Sequence, residues 1–241
     1  MNIPGRSIII LFFVLLFNDA NAQSGGPPMI TDDPGVVSLH HFEINTAFLS
    51  SITKDIQLSV PSIDACYGLA KNLQLKAEMP YLLTMNKHER TTGSFGVLSV
   101  GLKFRFMGEE THYVSAGIYP QYALTGDKKG LLFPLLIEKT FNKFVIGEDF
   151  GCFIGQKNNH SLQNGLLIGY KASRNFELMG EMFIQRDLGD QPATNGFMNY
   201  GFRYTLNTNF KIMGSLGTQV ITPTGEQKQY FISYLGLQSS F

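Results

Sequence analysis

The run YFISYLGLQSSF, residues 230–241, decides how the rest of this chain is to be read. Laid out as an extended strand, it places Phe231, Leu235, Leu237 and Phe241 on one face and Tyr230, Tyr234, Gln238 and Ser240 on the other. Alternation with a period of two predicts a half-buried β-strand. A strand that runs to the carboxylate offers a soluble domain little, because its edge stays unpaired. A closed barrel needs such a strand, since a last strand must pair with the first. In a bilayer that closure is obligatory, because lipid supplies no hydrogen bonds to an open edge.

Ending on Phe241, the run resembles the C-terminal signature of Gram-negative outer-membrane β-barrels. The resemblance implies that Phe241 is an assembly signal read by the barrel assembly machinery. The other end agrees. Residues 1–6 are short and basic, 7–17 are apolar, and Asn18-Asp19-Ala20-Asn21-Ala22 supplies small residues for a cleavage site. The apolar run is too short for a helical span, which takes roughly 20 residues. Residues 1–22 therefore read as a secretory signal peptide, and Gln23 in place of Cys argues against a lipid anchor. The expected organisation is the signal peptide 1–22, an N-terminal segment 23–38 that is periplasmic or inserted into the lumen, and a barrel over 39–241. The expected location is the outer membrane, with its lipids as partners.

Composition narrows the class further. With 20 Phe, 10 Tyr, 25 Gly and 16% charged residues, the chain suits many half-buried strands better than helices. Its 19 basic and 19 acidic residues cancel, so nothing suggests a nucleic-acid surface or a polybasic patch for anionic lipid. Two cysteines, Cys66 and Cys152, are too few for a disulfide framework and read as unpaired small strand residues, although an oxidising compartment would permit pairing.

A period of two recurs in segments 39–50, 56–69, 73–83, 95–106, 112–124, 131–141, 144–153, 162–172, 176–185, 196–206, 210–219 and 229–241. That is twelve, an even number as bacterial single-chain barrels require. Connections after even-numbered segments are tight: 70–72, 107–111, 142–143, 173–175 and 207–209. Those after the third, seventh, ninth and eleventh are longer and polar, while 51–55 is short for its class. Sorting of loop length by parity is the outer-membrane pattern, with tight turns on the periplasmic side. Tyr67, Phe106, Phe141, Phe144, Tyr170, Phe176, Tyr204 and Phe210 flank the tight turns, where an interfacial aromatic girdle belongs. The fold class is thus all-β, a membrane-spanning antiparallel up-and-down β-barrel. Because strand parity is even, Phe42 should neighbour Phe241 across the seam.

Alternation also sorts the faces. Leu73, Leu75, Ala77, Met79 and Tyr81 should face lipid while Gln74, Lys76 and Glu78 face the lumen; Lys103 and Arg105 should likewise point inward. Candidate lumen-lining residues are Glu43, Asp64, Lys76, Glu78, Lys103, Arg105, Glu138, Glu177, Glu181, Arg203 and Lys211. Leu135-Leu136-Ile137 and Glu148-Asp149 break strict alternation, so the register there stays open.

The opening Gly26-Pro27-Pro28-Met29-Ile30-Thr31-Asp32-Asp33-Pro34, followed by His41-Phe42-Glu43-Ile44-Asn45, resembles the MetA-pathway phenol-degradation family. Tyr67-Gly68-Leu69, Gly101-Leu102-Lys103-Phe104-Arg105-Phe106 and Tyr119-Pro120 extend the likeness over the mature chain. A Pro expected before Thr125 is missing, and a Pro-Thr-Gly arrangement stands instead at Pro223-Thr224-Gly225. The resemblance implies an outer-membrane barrel that passes small solutes, hydrophobic or aromatic compounds among them.

No Ser-His-acid arrangement or H-E-x-x-H spacing joins the five histidines, so no catalytic residue, metal or cofactor is expected. His40, His41 and His112 fall at the periplasmic rim, and His88 and His160 in external loops. Asp32 and Asp33 admit three readings: a weak cation site, a turn in which they cap backbone amides, or part of a lumen plug. The leading expectation is a narrow channel whose profile is set by Lys76, Lys103, Arg105 and Arg203. The alternative is a closed structural or adhesive barrel acting through its external loops, and an outer-membrane enzyme comes third.

Overall fold

The computed structural model describes residues 26–53, 55–85, 90–125, 129–156, 159–189, 192–225 and 228–241. The expected signal peptide, the segment 23–25 and His88 lie outside the described residues. The strands are β1 (Phe42–Ile52), β2 (Ile56–Ala70), β3 (Leu73–Met85), β4 (Thr92–Phe95), β5 (Ser99–Met107), β6 (Ser115–Ile118), β7 (Gln121–Ala123), β8 (Gly130–Phe141), β9 (Phe144–Gly155), β10 (His160–Lys171), β11 (Phe176–Asp187), β12 (Thr194–Thr205), β13 (Phe210–Ile221) and β14 (Phe231–Ser240).

All pairings between these strands are antiparallel and join into one sheet that closes on itself. β1 pairs with β14 from Glu43 opposite Ser240 to Ile52 opposite Phe231. At the seam Phe42 and Phe241 exchange both backbone bonds, at 3.0 and 2.9 Å, as expected from the sequence. Fourteen segments occupy 12 barrel positions, because β4 and β5 both pair with β3, and β6 and β7 both pair with β8. The expected strands 95–106 and 112–124 are each broken in two. Pro120 has no N–H to give a ladder, yet its carbonyl accepts from Leu102 N at 3.0 Å and Tyr119 N donates to Pro134 O at 3.1 Å. Gly96 N bonds Pro80 O at 2.8 Å across the other break. The wall therefore bends at these points without opening. β6 begins at Ser115, so the connection expected over 107–111 runs further, through a turn in which His112 N donates to Gly108 O at 2.8 Å.

Burial follows the predicted alternation. Glu177 and Glu181 are buried while Leu178 and Met182 are exposed outward, and Lys103 is 3% exposed between Leu102 and Phe104 at 44% and 43%. Both ambiguous stretches settle into this register: Leu136 is wholly buried between outward Leu135 and Ile137, and Asp149 points in while Glu148 points out. Glu148 interrupts the apolar exterior, and Asn164 on β10 donates to it at 3.2 Å. Aromatics pair across strands at the turn end, with Phe42 and Tyr67 rings 4.5 Å apart and Phe144 and Tyr170 5.0 Å apart. Among the described residues no helix is long and apolar enough to cross a membrane. Leu235, central on β14 and facing outward, tests this face. Leu235→Arg should lower unfolding stability in lipid vesicles by about 2–4 kcal/mol, and an unmoved denaturant midpoint would place that face outside hydrocarbon.

Candidate functional site

Residues 26–38 do not hang below the barrel but lie inside it. From β1, where His40 N donates to Gly68 O at 2.9 Å, the segment enters the bore at the turn end. Val37 N donates to Gln74 Oε1 at 2.7 Å, and Pro34 packs against Gly117. The chain then crosses to β10 and β11, where Ile30 N and Thr31 N donate to the two carboxylate oxygens of Glu181 at 2.9 and 2.8 Å. It finishes against β12 and β13: Arg203 donates to the carbonyls of Gly26 at 3.0 Å and Pro27 at 2.7 Å, and Ser215 Oγ donates to Pro28 O at 2.9 Å. A peptide without secondary structure of its own is thus satisfied largely by side chains of the wall, as buried backbone requires.

Packing shows that the wall is shaped for this segment. Met29 forms a buried apolar cluster with Leu167 and Met179. A Cβ at Gly165 would overlap Thr31 Oγ1, and one at Gly68 would overlap the Ser38 carbonyl. Glycine in a strand interior often marks such a close approach of another backbone.

Charge concentrates at one point of the crossing. Lys103 Nζ sits 2.8 Å from Asp32 Oδ1 and donates to Asp33 O at 2.8 Å. Lys76 Nζ sits 3.3 Å from Asp32 Oδ2, 3.3 Å from Asp64 and 2.8 Å from Glu78. Both ammonium groups also lie over the Tyr119 ring, at 5.2 Å for Lys76 and 5.5 Å for Lys103. Burial alone would raise the Asp32 carboxyl, but the two lysines, Lys103 foremost, together with its hydrogen bonds, hold it well below the usual carboxylate range. Asp32 Oδ1 also accepts from Asp33 N at 2.8 Å, and Asp33 Oδ1 from Gly35 N at 2.6 Å. Asp32 and Asp33 thus sit in a turn whose backbone amides their own carboxylates cap.

The other candidate lumen residues are placed as follows. Glu177 lies 3.9 Å from Arg203, and Glu181 is the acceptor for Ile30 and Thr31. Glu43 and Lys211 line a small cavity of about 20 Å³ beside Asp33 and Arg203. That is room for little more than a water. Glu138 is half-buried, with one carboxylate oxygen lacking a hydrogen-bond partner. Arg105 stands apart from the cradle and pairs with Glu110 of the turn at 3.1 Å. Cys66 and Cys152 are both free. His40 contacts Tyr67 Oη at 3.1 Å at the rim, while His160 opens β10 rather than lying in a loop. Tyr119, Asp149, Gln163 and Asn199 were not among the expected site residues. Pro120 was the available signal for Tyr119, since a proline inside a strand pattern announces a break.

Above the segment, toward the long-loop end, the lumen opens into a chamber of about 710 Å³. Its apolar lining includes Leu49, Leu132, Phe183, Phe197 and Tyr234, interspersed with Ser and Gln side chains. Its floor is made by Met29, Ile30, Asp32, Lys76 and Tyr119.

A 12-stranded membrane-spanning β-barrel with an N-terminal segment folded into its lumen is the class that fold and site define. Among solved structures, KdgM porin is similar at a TM-score of 0.57 with 12% identity, covering 83% of this chain and 99% of that one. NanC porin follows at 0.55 and 8%, covering 82% and 98%. The translocator domain of the autotransporter NalP from Neisseria meningitidis matches at 0.55 and 10%, covering 83% and 87%. At such identities the likeness is one of fold. No family model matches the sequence, the phenol-degradation family included, and no curated protein matches it.

Proposed function

We propose that this protein is an outer-membrane channel for small solutes, entered from the loop end and closed toward the turn end by residues 26–38. The observation that carries this reading is the pairing of an open chamber of about 710 Å³ with a separable floor. Much of the floor belongs to the segment, which is held to the wall by side-chain hydrogen bonds and ion pairs rather than by a strand ladder. The porin fold of KdgM and NanC supports it, as does an apolar exterior suited to the lipids of a Gram-negative outer membrane. There β14 and Phe241 would be handled by the barrel assembly machinery. Solutes with an apolar body, aromatic compounds among them, suit the mixed lining.

Planar-bilayer recording tests the channel. The full chain should be mostly closed, whereas a variant lacking residues 26–37 should conduct persistently. A deletion variant that refolds into a heat-modifiable barrel yet never conducts would establish the other reading, a closed structural barrel acting through its loops. The specific observation favouring that alternative is the tight seal at the turn end, where the remaining cavity is about 20 Å³.

A further inference from the structure

We propose that Lys76, Lys103 and Tyr119 form a binding site for a solute carboxylate, occupied here by the segment's own Asp32, and that an amphiphilic monocarboxylate displaces Asp32 and releases the floor of the chamber. The inference deepens the channel reading and rests on it for its meaning in transport.

The partners of Lys103 carry the argument. Lys76 keeps two acidic partners on the wall, Asp64 at 3.3 Å and Glu78 at 2.8 Å, whether or not the segment is present. Lys103 has none: its hydrogen-bond and ion-pair partners among the described residues are the Asp32 carboxylate and the Asp33 carbonyl, both from the segment. Its ammonium also lies over the Tyr119 ring, and the buried Asp149 carboxylate of β9 is close enough to interact with it through space without forming a direct ion pair. Its side chain is 4% exposed, and an ammonium so buried is costly without an anion. Withdrawal of the segment therefore leaves the Lys103 ammonium without a direct anionic partner, beside a Lys76 already paired with Asp64 and Glu78, and another carboxylate can take that place. The wall is built for an anion at this point, and Asp32 is the anion it carries.

The surroundings define the rest of the ligand. Asp32, Lys76 and Tyr119 all form part of the chamber floor, so a solute in the chamber meets them directly. The lining above them includes Leu49, Leu132, Phe183 and Phe197, which suits a hydrocarbon body, and Ile30 projects from the segment into the same space at 44% exposure. A small molecule with a carboxylate at one end and an apolar body at the other would lay the body along these side chains and the charge against Lys76 and Lys103. Asp32 then acts as a tethered competitor, lowering the apparent affinity by the fraction of time it occupies the site.

The test compares the full chain with Asp32→Asn, both refolded in lipid vesicles, using hexanoate, its uncharged isostere hexanamide, and chloride at matched ionic strength. In the full chain, hexanoate should accelerate hydrogen exchange at the Ile30, Thr31 and Val37 amides by about tenfold, while hexanamide and chloride leave it unchanged. Asp32→Asn should bind hexanoate about tenfold more tightly by calorimetry, because the competitor is gone, and adding Lys103→Met should abolish that binding. Equal effects of hexanoate and chloride would reduce the result to screening and overturn the proposal, as would unchanged or weaker binding by Asp32→Asn. Conductance separates the two readings. An Asp32→Asn barrel that conducts but does not prefer hexanoate to hexanamide refutes the carboxylate site and leaves the channel standing. One that binds hexanoate but stays closed with and without it supports the site and refutes the channel.

Discussion

Replacing Asp32 with alanine is expected to loosen the N-terminal segment about a hundredfold while the barrel stays folded. The substitution removes the one carboxylate shared by Lys76 and Lys103, whose side chains are 7% and 4% exposed. Removing one member of a buried ion pair costs about 3–5 kcal/mol, mostly through the charge left behind. The lower end applies here, since Lys76 retains Asp64 and Glu78. About 3 kcal/mol is roughly two decades in the docking equilibrium. Hydrogen exchange at Ile30, Thr31 and Val37 reads this directly, because their amides are bonded to Glu181 and Gln74 in the docked state. Protection equal to that of the unaltered chain would show that Glu181 and Arg203 hold the segment without the lysines.

The same contact predicts how the segment responds to acid. Asp32 has a folded-state pKa depressed by its two lysines. Its contribution to docking is therefore complete above the pKa of an unstructured carboxyl, about 4, and is lost only as pH falls below that value toward the lower one of the paired group. Exchange at the same amides should show no step assignable to Asp32 between neutral pH and about pH 5. A release within that window that vanishes in Asp32→Asn would contradict the assignment.

Gly165→Ala is expected to expel the segment by shape rather than by charge. Its new Cβ would overlap Thr31 Oγ1 and come within 3.1 Å of Thr31 Cβ and Phe183 Cδ2. Thr31 is wholly buried and cannot swing aside, and its backbone is pinned by Glu181. Overpacking of this kind costs about 1–3 kcal/mol, enough to raise exposure of residues 26–38 to protease by about ten- to a hundredfold. Barrel stability should hold or improve slightly, because alanine loses less backbone entropy than glycine in a strand. Adding Thr31→Gly removes the two Thr31 atoms, leaving only Phe183 Cδ2 at 3.1 Å, and should restore protection. Failure of that rescue would place the effect in the wall and not in the fit of the segment.

The two halves of the problem differed in legibility. Strand positions, the Phe42–Phe241 seam and the inward register of Lys76, Lys103, Glu177 and Arg203 could be read from period-two alternation, since a one-residue slip would carry those charges into hydrocarbon. Breaks at 96–98 and 119–120 were missed because the outward pattern continues across them, carried by bonds such as Tyr119 N to Pro134 O. Placing Arg105 with the residues that set the lumen's charge overlooked Glu110, which the turn brings to it at 3.1 Å. Asp32-Asp33 was ambiguous for a different reason. Capping a turn is a local property of the sequence, whereas the partners of Asp32 lie on β3 and β5, far along the chain.

What the sequence by itself determined is therefore the wall: a closed barrel with one apolar and one polar face, because strand periodicity and membrane burial are both local constraints. Where residues 26–38 lie, and what they meet, was decided only by the tertiary structure. That segment has no periodicity of its own, and its contacts come from six or more separate strands that closure alone brings together, among them Glu181 on β11 and Arg203 on β12. A linear pattern states which side chains point into the bore. It does not state which of them converge on a single carboxylate.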